Sequence, residues 1–169
     1  MNLRSCLLSW MLIALVTSPA WAQKKKKDPP ARPEPTVADY KYGTDSERQK
    51  FDFWQAKSDK PTPLVLLIHG GGWRGGDKSG YGTSAIQPLL DAGISVAAIN
   101  YRFILQAMAD GVEPPVKGCL HDAARALQTL RSKSKEWNID PTRVGATGGS
   151  AGACTSLWLA LHDDIADPN

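Results

Sequence analysis

The feature that most narrows the fold of this 169-residue chain is Gly148-Gly149-Ser150-Ala151-Gly152. A β-type run, Arg143–Thr147, enters it, and an apolar helical pattern from Ala151 to about His162 leaves it. Gly-x-Ser-x-Gly at a strand-to-helix turn lifts a serine hydroxyl clear of the backbone. The turn is so tight that only Gly or Ala fits beside the serine. A helix starting at Ala151 also aims unpaired N–H groups, with their partial positive charge, at the space in front of that hydroxyl. Negative charge would develop there if the hydroxyl attacked a carbonyl.

A second glycine cluster supplies the complementary half. Leu64-Val-Leu-Leu-Ile68 is a dense apolar run bounded by Pro63, which predicts a central parallel strand buried on both faces. His69-Gly70-Gly71-Gly72-Trp73 follows at once. Acyl transfer needs several N–H donors converging on one developing alkoxide. Ala151 supplies one; a loop whose backbone approaches without a Cβ supplies the other, hence Gly71 and Gly72. Two such turns, each at the end of a predicted strand, argue against coincidence.

With those residues in view, the stretch from about Phe51 to Asp163 resembles the α/β-hydrolase superfamily. The likeness is to bacterial carboxylesterase- and lipase-like members carrying His-Gly-Gly-Gly-Trp and Gly-Gly-Ser-Ala-Gly. Gly76-Asp77-Lys78, Asn100-Tyr101-Arg102 and Asn138-Ile-Asp-Pro-Thr-Arg143 add to it. The resemblance implies that Ser150 is the nucleophile and that Gly71, Gly72 and Ala151 form the oxyanion hole. It implies that His69 organises its loop, and that an Asp or Glu and then a His follow later in the chain. It implies no metal and no cofactor, and a small-molecule or polysaccharide-linked ester as substrate. Esters and amides are not separated by the elbow, so a serine peptidase stays open.

Only 19 residues follow Ser150. In an unbroken helix, twelve residues at ~1.5 Å place His162 about 18 Å from Ser150, whereas proton transfer needs about 3 Å. His162 and Asp163 therefore read as the polar end of a helix. His121, beside Asp122 at a helix start, reads as solvent-facing or as a backbone cap. The expectation is an α/β-hydrolase-type, mostly parallel sheet with helices on both faces, incomplete, as the N-terminal portion of a longer fold. Its catalytic acid and base would be absent, and this chain inactive alone; a non-catalytic truncated relic is the alternative.

Residues 1–22 read as an export signal: Arg4, an apolar stretch from Cys6 to Val16, and Ala20-Trp21-Ala22 as the small-x-small cleavage pattern. A membrane span would need about 20 apolar residues. The mature protein is expected outside the cytoplasm. Residues 23–38, with Lys24–Lys27 and repeated prolines, read as a disordered tether. Residues 39–169 hold the hydrolase portion. The chain has 20 basic and 17 acidic residues. Without Arg4 and Lys24–Lys27 the remainder is slightly acidic, which gives nucleic acid no footprint.

The rest reads βαβαβα. Gln49–Gln55 is an outer strand, Leu64–His69 a buried one, and Thr83–Ala92 a helix ended by Gly93. Ile94–Tyr101 is a further strand. Leu120, Ala123, Ala124, Leu127 and Leu130 form an apolar stripe on a helix from Val116 to about Trp137. Alternating strands and helices imply parallel pairing. Trp73 either walls a substrate pocket or packs within its loop. Cys119 and Cys154 are a disulfide pair or two buried thiols. The rival class is a dinucleotide-binding oxidoreductase, since Gly70-x-Gly72-x-x-Gly75 follows a strand. It fails on the long polar loop Trp73–Tyr81, where a helix should open, and it leaves Gly148–Gly152 unexplained. Gly76-Asp77-Lys78-Ser79 also fails as a phosphate loop, because Asp77 separates Gly and Lys.

Overall fold

The computed structural model describes residues 31–162. The signal segment, the first part of the tether and Asp163 lie outside the described residues. Five strands form one sheet in the order β1-β2-β4-β3-β5: Val37–Lys41, Lys50–Trp54, Thr62–Ile68, Ser95–Ile99 and Ile139–Gly148 for β1 to β5. Helices α1 (Thr83–Asp91), α2 (Ile104–Ala109), α3 (Val116–Ser132) and α4 (Ala151–Leu161) connect or follow them.

β3 lies between two parallel partners, β4 and β5, while β1–β2 and β2–β4 are antiparallel. The βα alternation read from the sequence therefore holds from β3 onward, and the strands before β3 form a hairpin. Successive side chains on a strand face opposite sides of its sheet. Phe51, Phe53, Leu64, Leu66, Ile68, Ala97 and Ile99 face α3 and join Cys119, Ala123, Ala126 and Leu130 in the main core. Trp54, Leu67, Val96 and Ala98 face the other way and cover Ile86 of α1. Helices thus lie on both faces. Emptying a site such as Phe53, fully buried and stacked on Trp137 at 4.8 Å, costs about 3–5 kcal/mol.

Several expectations change. β2 is not outermost, because β1 covers its free edge. β1 begins at Val37, inside the segment read as tether, and Tyr40 secures it by stacking on Phe51 at 5.1 Å. Further back, Arg32 pairs with Asp52 at 3.0 Å and lies 4.6 Å over the Trp54 ring. Charge and proline content concealed those contacts. α2 was not expected, and α3 stops at Ser132 rather than near Trp137. The buried stripe of α3 runs through Cys119, Asp122, Ala123, Ala126 and Leu130, with Leu120 and Leu127 at its margins. Small residues let α3 lie close to the sheet. Asp122 is tolerated there because it accepts from the Arg102 guanidinium at 2.7 Å, the Arg102 N–H at 2.9 Å and Gln49 at 2.8 Å.

From β3 the chain winds to β4 on one side through α1, then returns across to β5 on the other side through α3. β3 ends at that reversal, where the crevice beyond the strand ends lies open in sheets of this kind.

Candidate active site

Strand register brings the two glycine turns together. Ile68, the last residue of β3, pairs with Gly148, the last residue of β5. The chains leaving them must therefore emerge side by side. A Cβ on Gly148 or on Gly152 would run into the Ile68 carbonyl oxygen, so the two glycines of Gly-x-Ser-x-Gly share one steric cause. Tyr81 donates to that same oxygen at 2.8 Å and fixes it. On the opposite turn, a Cβ on Gly70 would stand 2.7 Å from the Gly149 oxygen and 3.6 Å from Ser150 Cβ. The turns are in contact.

Ser150 is the N-cap of α4, exposed, with φ 54° and ψ −119°. A non-glycine residue with positive φ is strained, typically by about 1–3 kcal/mol, and such strain gathers at functional sites. Ala151, next along, is buried and opens the helix. On the facing turn, Gly71 and Gly72 have φ 104° and 60°. A Cβ on Gly71 would strike the backbone of Gly75, whereas one on Gly72 would meet nothing within 4 Å. Gly71 closes the loop, and Gly72 borders open space. Among the described residues, the N–H groups of Gly71, Gly72 and Ala151 donate to no backbone acceptor.

The glycine loop is braced at every side. His69 is buried, stacks on Tyr101 at 4.3 Å and places Nδ1 2.8 Å from the Gly70 oxygen. Its Nε2 lies 3.4 Å from Arg48 Nη2. A carbonyl only accepts and a guanidinium only donates, so the neutral Nδ1–H tautomer satisfies both contacts. Burial holds the imidazole below its ordinary pKa, and the charge of Arg48 adds to the effect against the Gly70 hydrogen bond. His69 is thus a neutral scaffold, as the resemblance implied. Tyr101 donates to the His69 oxygen at 2.8 Å. Asn100 accepts from the Lys78 N–H and donates to Asp77, both at 2.7 Å. Lys78 reaches Asp52 at 2.7 Å and Asp39 at 2.9 Å. Gly76-Asp77-Lys78 and Asn100-Tyr101 are the struts of this loop, whereas Arg102 turns away to Asp122, Asp45 and Asp110.

Trp73 answers the question left open by the sequence. Its φ is 56°, its carbonyl accepts from Ile104 N–H at 2.8 Å, and its indole donates to Thr155 of α4 at 3.1 Å. It packs as a clasp between the loop and the serine helix. His121 lies within α3 rather than at its start and stacks on Trp158 at 5.8 Å. His162 stacks on Trp158 at 4.8 Å, beyond the far end of an unbroken α4. The contacts of His69 go to Gly70, Arg48 and Tyr101, and His121 and His162 both stack on Trp158. Cys119 is buried, with its thiol pushed up to about 11 by burial and by Asp122, and Cys154 is exposed. Both are free, so neither the disulfide nor the pair of buried thiols is found. Among the described residues, no group of three or more His, Cys, Asp or Glu is arranged to hold a metal ion. No helix there is long and apolar enough to cross a membrane.

A family model described as BD-FAE matches residues 52–167, a span that holds both glycine turns. The chain belongs to the BD-FAE family. It is similar to the probable carboxylic ester hydrolase LipM of Mycobacterium tuberculosis, at 29% identity over 126 residues. That match covers 73% of this chain and 28% of LipM. Carboxylesterase NlhH of the same organism is 27% identical over 117 residues, covering 69% of this chain and 34% of NlhH. Among solved structures, a truncated form of a carbohydrate esterase from gut microbiota superposes with TM-score 0.62 at 26% identity. It covers 76% of this chain and 45% of that one. An acetyl ester-xyloside bifunctional hydrolase from Caldicellulosiruptor lactoaceticus gives 0.51 at 31% identity, covering 63% of this chain and 36% of that one. The BD-FAE chain thus carries part of an α/β-hydrolase esterase fold and spans less than half the length of these relatives.

Proposed function

We propose that this BD-FAE chain carries the nucleophile and oxyanion half of a carboxylic ester hydrolase. Ser150 Oγ attacks the ester carbonyl and gives its proton to a general base as the C–O bond forms. The N–H groups of Gly71, Gly72 and Ala151 hold the oxyanion. The tetrahedral intermediate then expels the alcohol, which takes a proton from the conjugate acid of that base. Water cleaves the acyl-enzyme by the same route, releasing the carboxylic acid and the serine. The observation that supports this reading is the close approach of Gly70 to Gly149 and Ser150, which brings the exposed, positive-φ serine turn beside the glycine loop.

The base and its orienting carboxylate belong to a part of the fold outside the described residues. Residues 1–169 alone are therefore expected to turn over p-nitrophenyl acetate negligibly. The names of the carbohydrate esterase and the acetyl ester-xyloside hydrolase support sugar-borne acyl esters as the substrate class. Arg4 to Ala22 supports export as the route of the protein. The test is p-nitrophenyl acetate and acetylated xylan hydrolysis by a form extended past Asn169 with a histidine and a carboxylate. Activity is expected, and Ser150→Ala should remove it. Undiminished activity in Ser150→Ala would end the proposal.

A further inference from the structure

Arg48 lies just ahead of β2, far in sequence from both motifs, yet its guanidinium touches the glycine loop at each end. Nε donates to the Tyr101 oxygen at 3.0 Å and Nη2 to the Gly76 oxygen at 2.8 Å. Nη2 also faces His69 Nε2 at 3.4 Å, and Nη1 stands 3.8 Å from Asp77. The guanidinium carbon sits 3.9 Å over the Phe103 ring centroid, and the Arg48 N–H is held by the Ser46 hydroxyl at 3.1 Å. His69 and Gly70 begin the loop, and Gly76 and Asp77 end it. A Cβ on Gly76 would strike the Gly70 oxygen at 2.6 Å, so the loop's two ends already touch. Arg48 spans that closure. A planar fork of five donors does this in one side chain; an ammonium, as a point charge, cannot.

The geometry points to Arg48 as a positioning residue, which closes the loop from His69 to Asp77 and thereby aims the Gly71 and Gly72 amides at the serine turn. The kinetic consequence rests on the esterase reading; the structural one does not. Two features separate this role from that of an ordinary surface arginine. The Arg48 side chain is 26% exposed and divided among four polar partners and the Phe103 ring. Arg125, by contrast, is half exposed and lies 3.7 Å from Asp45 in an open ion pair. Both are cations near the same end of the sheet, so Arg125→Met is the matched control.

Arg48→Met and Arg48→Lys are compared with the parent 169-residue chain by imidazole and amide NMR. Arg48→Met should move the His69 Nε2 resonance and the Gly71 and Gly72 amide resonances, and should speed hydrogen exchange of the Arg74 N–H, which donates to the Gly71 oxygen at 3.0 Å, by about tenfold, which corresponds to about 1.4 kcal/mol of lost closure. Arg48→Lys should not restore either signal, and Arg125→Met should leave both unchanged. In the extended, hydrolysing form, Arg48→Met should lower kcat by about 10- to 100-fold with little change in KM, because oxyanion donors act chiefly in the transition state. If Arg48→Met loses its fold, Arg48→Lys is read instead and must still show the His69 and glycine changes. His69, Gly71 and Gly72 signals that superimpose on those of the parent would overturn the assignment, whatever happens to the melting temperature. Full activity in Ser150→Ala would sink the esterase reading and leave the Arg48 result standing.

Discussion

The glycine loop after β3 and the serine turn after β5 leave the same end of the sheet, but their supports differ. β3 is flanked on both sides, and its loop is tied by His69, Tyr101, Asn100, Arg48 and Trp73. β5 is the outermost strand among the described residues, and Leu157 and Leu161 of α4 stay 65% and 78% exposed. One half of the site is held by a polar network. The other is held by its ladder to β3, by steric contact through Ile68 and Gly70, and by the Trp73–Thr155 hydrogen bond. An edge strand and an apolar helix face are what other chain usually covers. The elbow should therefore be the softer half, more sensitive to any substitution that separates it from β3.

The largest effect should come from removing that contact. Gly152→Ala puts a methyl group into the Ile68 carbonyl, with backbone on both sides, and should destabilise by more than about 3 kcal/mol in urea unfolding. Gly72→Ala meets open space and should cost only about 1–2 kcal/mol, from its positive φ alone. Equal costs would dissolve the distinction between steric wall and open rim. At Ser150 stability and activity should part. Ser150→Gly relieves the positive φ and should gain about 1 kcal/mol or more. In a hydrolysing form it should cost at least about three orders of magnitude in kcat.

The braced side is tested next at Asp122, 1% exposed and shared by Arg102 and Gln49. Asp122→Ala leaves a buried guanidinium short of its partner and should cost about 3–5 kcal/mol. Trp73→Phe removes one indole hydrogen bond between the two halves and should cost about 1 kcal/mol, seen as faster exchange in α4. The smallest effect is in pH. Burial pushes the Asp77 carboxyl up, but the Ser79 N–H and hydroxyl, Asn100 and Arg48 together hold it at about 2. A carboxyl depressed by folding contributes stability in full above its unfolded value near 4, and loses it as pH falls through about 2. The side chain is 45% exposed, so the loss should stay below about 1 kcal/mol. Asp77→Asn should flatten that part of the acid limb.

What the sequence made legible follows the same division. Both glycine motifs could be read because sterics forbid a Cβ at Gly70, Gly148 and Gly152, and a forbidden side chain leaves its mark in the sequence. β3 and β4 could be read because burial on both faces leaves an unbroken apolar run. β1 could not, since Val-Ala-Asp-Tyr-Lys has no clear alternation and depends on pairing with β2 and the Tyr40–Phe51 stack. α2 has six residues, too few for a periodicity to appear. Arg48 and Asp122 carry no local signal at all, because their importance lies in partners 20 or more residues away. Arg32 was hidden the same way, in a segment whose composition argued only for solvent.

The most direct test is the structure of a phosphonate adduct, formed by an activated p-nitrophenyl phosphonate on a hydrolysing form. The adduct should sit on Ser150, with its phosphonyl oxygen about 2.7–3.1 Å from Ala151 N and from Gly71 or Gly72 N. An adduct on another residue, or a phosphonyl oxygen facing solvent with those amides turned away, would contradict the claim that two distant glycine turns form one catalytic rim.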